Sequence, residues 1–220
     1  MRSVSSAATV VVLALGFALV GCGPVAGEAV AVESPSAESP AAPASESPAA
    51  PSPTTATPPG VSAEVVFPEC EQLIPIEVLK ANFSPDAILY PDGGGWTIGQ
   101  RLPGPVAKAA VEAAPRKAEC GWGVEGGSDG GVNAAVIELP TDMRDGLIGA
   151  LRDAGSYTEA TVDGATVFTT PVPSEISSVE AGYAFLGATW IAIVGSAHEG
   201  TMESVYLPAA VSALRTANGG

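Results

Sequence analysis

The chain has 220 residues, 24 of them acidic and 9 basic, for a formal charge of −15. A surface this acidic and this poor in Lys repels phosphate, which excludes nucleic acid as a partner and direct docking on anionic lipid headgroups. Abundant Ala, Gly and Pro with few Lys reads as the product of a GC-rich genome.

The first element is an apolar run from Ala7 to Leu19, preceded by Arg2 and followed by Leu19-Val20-Gly21-Cys22. A basic start, an apolar stretch and small residues before a cleavage point are the order a secretory leader needs. The run is short for a membrane-spanning helix, which takes about 20 residues. Its end resembles a bacterial lipobox. That resemblance implies removal of residues 1–21, leaving 8 basic against 24 acidic residues. It also implies lipidation of Cys22, and two or more acyl chains give stable anchoring.

From Gly23 to about Ala63 the chain is rich in Pro, Ala, Ser, Glu and Thr, with no Lys, Arg or aromatic residue. Such a segment buries too little apolar surface to offset its ordering entropy. It reads as a tether of residues 22–63 that reaches ~120 Å if extended and ~35 Å as a flexible coil. The remainder, 64–220, is about 155 residues, enough for one domain with its own core. With Cys22 lipidated, Cys70 and Cys120 remain as an even pair in an oxidising compartment, which predicts a Cys70–Cys120 disulfide.

Within 64–220, a helix with Pro75 in its first turn runs to Asn82, followed by a turn-rich stretch that ends in Gly93-Gly94-Gly95-Trp96. A second helix fits Pro105 to Ala114. Ala118 to Val124 and Val132 to Leu139 read as strands joined by a Gly-rich loop. Thr141 suits an N-cap for a helix with Met143, Leu147, Ile148 and Leu151 on one side, ended by Gly155. Asp163-Gly164 predicts a type I′ hairpin between Tyr157–Val162 and Ala165–Thr169. A further strand pair flanks Gly187, and a helix closes the chain from Met202 to Thr216, with Pro208 as a point where it kinks or restarts. The expected class is α+β: a mostly antiparallel sheet with helices packed on one face. Hairpin-then-helix occurs twice, which fits either a duplicated ββα unit or chance similarity among common residues.

Gly121-Trp122-Gly123-Val124-Glu125-Gly126 matches a dinucleotide-binding pattern, but it lacks the helix that would meet a pyrophosphate. Gly126-Gly127-Ser128-Asp129-Gly130 matches a nucleophile-elbow pattern, but it joins two strands instead of a strand and a helix. Ser128 and the single histidine, His198, are therefore the residues of an alternative reading as an envelope hydrolase. No His/Cys cluster has metal-ligand spacing, and no cofactor is expected. Trp96, after three glycines, is the ligand-binding candidate; the competing reading plugs its indole into the core. Trp122 is expected to pack against the disulfide and Trp190 to be core.

A lipobox, a Pro/Ser-rich spacer, Cys70-Glu71-Gln72-Leu73-Ile74-Pro75 and Cys120-Gly121-Trp122 together resemble the small secreted lipoproteins of actinobacteria. The resemblance implies an envelope-facing α+β domain held by lipid to the outer face of the cytoplasmic membrane, and it transfers no catalytic residue. The expected function is a non-enzymatic binding or accessory module for an envelope lipid, glycan or protein. A structural subunit of an envelope complex is the third reading.

Overall fold

The computed structural model of the protein describes residues 64–220 apart from Asp92, Ser128, Asp129 and Ile176. The leader, Cys22 and the tether lie outside the described residues.

Two short helices open the domain, α1 (Cys70–Leu73) and α2 (Ile76–Asn82). Strand β1 (Ala87–Tyr90), a tight Gly93–Gly95 turn, α3 (Ile98–Arg101) and α4 (Pro105–Ala113) follow. Then come β2 (Arg116–Val124), β3 (Gly131–Glu138) and α5 (Thr141–Ala154). Four strands complete the sheet: β4 (Thr158–Val162), β5 (Ala165–Val172), β6 (Val179–Leu186) and β7 (Thr189–Ser196). A π-helical turn, Met202–Tyr206, leads into α6 (Leu207–Ala217).

The seven strands form one sheet in the order β1-β2-β3-β7-β6-β5-β4, and every neighbouring pair is antiparallel. The α+β class with an antiparallel sheet is thus what the chain forms. The helices, however, cover both faces. β3 sends Val132, Ala134 and Val136 to one face and Ala135 and Ile137 to the other, and β7 divides Ile191 and Ile193 from Trp190, Ala192 and Val194 in the same way. Central strands that are apolar on both sides need a cover on both. The first face packs Leu73, Leu79, Tyr206, Val211 and Leu214, from α1, α2 and the C-terminal helix. The second packs Ile98, Val111, Leu147 and Leu151, from α3, α4 and α5. The helices after the two hairpins, α5 and α6, therefore lie on opposite faces, whereas a duplicated ββα unit would place them on the same one.

Local chemistry accounts for the connections. Asp163 and Gly164 both have positive φ, as a type I′ turn requires, while Gly187 alone does so at the β6–β7 turn. Thr141 is the first residue of α5, not its cap; Pro140 holds the cap position and no side chain bonds there. Gly155 ends α5 in the left-handed conformation. Of the kink or restart expected at Pro208, the restart is what forms: α6 begins at Leu207 with Pro208 in its first turn, directly after the π turn. Pro208 has no N–H to donate and its ring crowds the carbonyl four residues back. The preceding turn widens, and the Leu207 N–H reaches the Met202 carbonyl.

The Cys70–Cys120 disulfide ties α1 to β2 with Cα atoms 5.5 Å apart. Both cores and this bridge are drawn from the same compact unit, Pro58–Gly220, which therefore holds what a domain needs to fold alone. Its two ends meet: Asn218 accepts from the Val66 N–H at 2.9 Å and donates to the Val66 carbonyl at 2.9 Å. Arg116, at the start of β2, pairs with Glu64 at 2.7 Å and with Glu138 at 3.1 Å.

Candidate ligand cleft

The Gly-rich sequence in β2 has a packing explanation. A Cβ at Gly121 would stand 2.5 Å from the carbonyl carbon of Gly93, and one at Gly123 would stand 2.6 Å from Cε2 of Tyr90. β2 is bare at these two positions so that the Gly93–Gly95 turn and the Tyr90 ring can lie directly on it. Gly93, Gly94 and Gly95 all have positive φ, a conformation open to glycine and strained for other residues. The Tyr90 hydroxyl donates to the Val124 carbonyl at 2.8 Å. The match to a dinucleotide fingerprint is therefore a strand surface flattened to seat a loop.

That loop carries Trp96 and leads into α3. Thr97 and Gln100 form a reciprocal capping box, with the Thr97 N–H donating to Gln100 Oε1 at 3.0 Å. Glu119 of β2 accepts from the Ile98 N–H at 2.8 Å. At one turn, α3 is too short to roof the end of the sheet, and an open cleft of about 820 Å³ remains there. Its walls include Tyr90, Trp96, Arg101, Asn133, Ser177 and Ser196. Trp96 is 62% exposed, so the indole faces the cleft and solvent and does not plug the core.

Asn133 is the buried polar anchor, 5% exposed in the otherwise apolar middle of β3. Its Nδ2 donates to the carbonyls of Gly93 at 3.2 Å and Trp96 at 3.4 Å, so the loop is held to the sheet on this side too. With the amide oriented by those bonds, Oδ1 accepts from Arg101 Nη1 at 2.8 Å. Burial lowers the pKa of Arg101 from the usual guanidinium value, though an arginine stays charged in a protein.

The remaining sequence candidates lie elsewhere. Trp122 is buried in the same cluster as Cys120, and Trp190 is fully buried, 6.1 Å from Phe185 in a stacked pair and 5.6 Å from Tyr183 edge-on. Ser128 lies outside the described residues. His198 is exposed in the loop after β7, where its backbone carbonyl accepts from the Thr201 N–H. Among the described residues no group of three or more His, Cys, Asp or Glu side chains is placed to hold a metal, and no helix is long and apolar enough to cross a membrane. A second cleft, between the β5–β6 connection and the segment after β7, is lined by Glu175, Glu180, Glu199 and Glu203.

No protein family, curated protein or solved structure matches this chain.

Sequence reasoning singled out Trp96 but not Arg101, Asn133 or Tyr90. One signal was available for Asn133: an amide inside the run Val132–Ile137 must find partners once buried. Arg101 and Tyr90 carried no such signal, because only the β1–β2 pairing and the seating of α3 bring them to one place.

Proposed function

We propose that this chain is a lipid-anchored extracytoplasmic binding module, held through Cys22 and a Pro-rich tether, that takes an envelope ligand in the cleft beside Trp96. The observation that carries the reading is an open cleft with an exposed indole on a loop pinned from two sides. Fixing the loop in advance lowers the ordering cost of binding. An exposed tryptophan offers a large flat contact at small conformational cost.

Native mass spectrometry of residues 58–220, secreted from an actinobacterial host, tests it. Mass above that of the denatured chain, lost on Trp96→Ala, is the expected result. A bare native mass together with tryptophan emission unmoved by envelope extracts would sink the reading. Anchoring is tested separately: Cys22→Ala should release the protein from membranes. The hydrolase reading rests on Ser128 and His198, and an envelope-directed activity lost on replacing both with Ala would favour it instead.

A further inference from the structure

The cation in this cleft stands apart from most others in the chain. Arg116, Arg144 and Arg152 each have a carboxylate at 3.1 Å or closer, and Lys80 and Lys117 have one within 4.0 Å. Arg101, in a strongly acidic protein, has no carboxylate within ion-pair distance among the described residues; its recorded partner is the neutral Asn133 amide. A guanidinium carries five N–H donors in a planar fork that matches carboxylate and phosphate. Asn133 takes one of them, which holds the fork at that nitrogen. Asn133 is itself immobilised by the two loop carbonyls, so the half-buried guanidinium is aimed before anything binds.

The rest of the wall narrows the ligand. Gln100, Ser177 and Ser196 together with glycine backbone at Gly130 and Gly131 give amide and hydroxyl groups that suit a hydroxylated molecule. Trp96 supplies the exposed flat apolar face, which suits one side of a sugar ring. Resting on the binding-module reading above, we infer that the cleft takes an acidic sugar, with its carboxylate or phosphate on Arg101 and its ring against Trp96. Among the described lining residues Arg101 is the one charged side chain, which is consistent with one oxyanion, not several. The net negative charge of the domain works against such a ligand at long range, so recognition depends on contact with this one fork.

The test is a two-dimensional amide and side-chain NMR titration of 15N-labelled residues 58–220, following the Trp96 indole N–H and the Arg101 Nε–H. The probes are glucuronate, glucose 6-phosphate, glucose and inorganic phosphate. The expected result is saturable movement of both signals by glucuronate or glucose 6-phosphate, with glucose weaker by about tenfold or more, the scale of one charge-assisted contact. Which of the two acidic sugars binds tighter separates carboxylate from phosphate. Arg101→Gln should erase the preference for charged sugars while leaving the weak glucose response, and Arg101→Lys should restore part of it. An unperturbed amide spectrum away from the cleft shows that each variant is folded. Equal binding of glucose and the acidic sugars overturns the role of Arg101 while leaving the cleft as a binding site. Movement of Arg101 by inorganic phosphate alone, with Trp96 still, overturns the sugar. No movement by any probe overturns the inference, and extra native mass in the experiment above then shows that the cleft takes a ligand of different chemistry.

Discussion

Replacing Gly121 with Ala adds one methyl group at a point where the structure has no room. The new Cβ would lie 2.5 Å from the Gly93 carbonyl carbon, and nearer still to its oxygen. Ordinary contact begins near 3.4 Å, so the Gly93 backbone must move by about 1 Å or β2 must bend. Neither is the far end of a flexible side chain, and the displaced carbonyl is one that Asn133 holds at 3.2 Å. Overpacking of this kind costs about 1–3 kcal/mol. Loss of the Asn133 bond adds about 1 kcal/mol. The sum, about 2–4 kcal/mol, corresponds to a fall in Tm of about 5–15 °C for a domain of this size. Gly146→Ala is the control: it sits in α5 with nothing within 4 Å of its added Cβ, and should stabilise by about 0.5–1 kcal/mol. Thermal melts by circular dichroism compare the three proteins. Tryptophan emission then reports the loop, because Trp122 and Trp190 are buried and Trp96 is the exposed indole. In Gly121→Ala, iodide quenching of that exposed component should change even well below the melt. A Gly121→Ala protein that melts within about 1 °C of the parent, with unchanged quenching, would refute the claim that the bare strand surface seats the loop.

Three further outcomes follow from the packing. Replacing Cys70 and Cys120 with Ser opens a loop of sequence separation 50 and should cost about 4 kcal/mol by the chain-entropy argument, read as a lower denaturant midpoint with unchanged native spectra. Trp190→Ala removes a fully buried indole from between Phe185 and Tyr183 and should cost about 3–5 kcal/mol, with loss of near-ultraviolet dichroism. The buried Tyr206 hydroxyl has no hydrogen-bond partner among the described residues, and burial pushes its pKa from 10.0 up to about 12. Below pH 10 both folded and unfolded states keep the proton, so this group gives no pH dependence there. Between pH 10 and about 12 the unfolded state alone loses it, and stability falls by at most about 1.4 kcal/mol per pH unit. Tyr206→Phe should lessen the slope of that part of the profile in urea melts at stepped pH, at little or no cost near pH 7, with the likewise buried Tyr183 keeping the remainder.

The parts of the fold readable from sequence were those with local causes. Asp163-Gly164 demands its hairpin, Gly155 stops α5, and the β3 and β7 segments are too continuously apolar to be anything but buried strands. That same continuity implies cover on both faces, which counting helices along the chain does not convey. β1 was hidden because four residues, Ala87–Tyr90, amid prolines and glycines give no period to detect. The cleft was hidden for a different reason. Trp96 could be noticed as an aromatic after glycines, but its exposure depends on Gly121 being bare some distance along the chain. Asn133 and Arg101 acquire meaning only when β3 and α3 come together.

The Asn218–Val66 clasp has a geometric consequence for presentation. The chain enters and leaves the domain at one pole, beside Arg116, where β2 begins. The cleft opens by Trp122 and Gly131, toward the other end of the same strand pair, roughly 20 Å away at a strand's rise per residue. A domain held from its N-terminal side would carry the cleft at the end away from the point of attachment. A reporter fused after Gly220 would emerge beside Val66 and leave the cleft clear, whereas one inserted in the β2–β3 loop would sit across the cleft mouth.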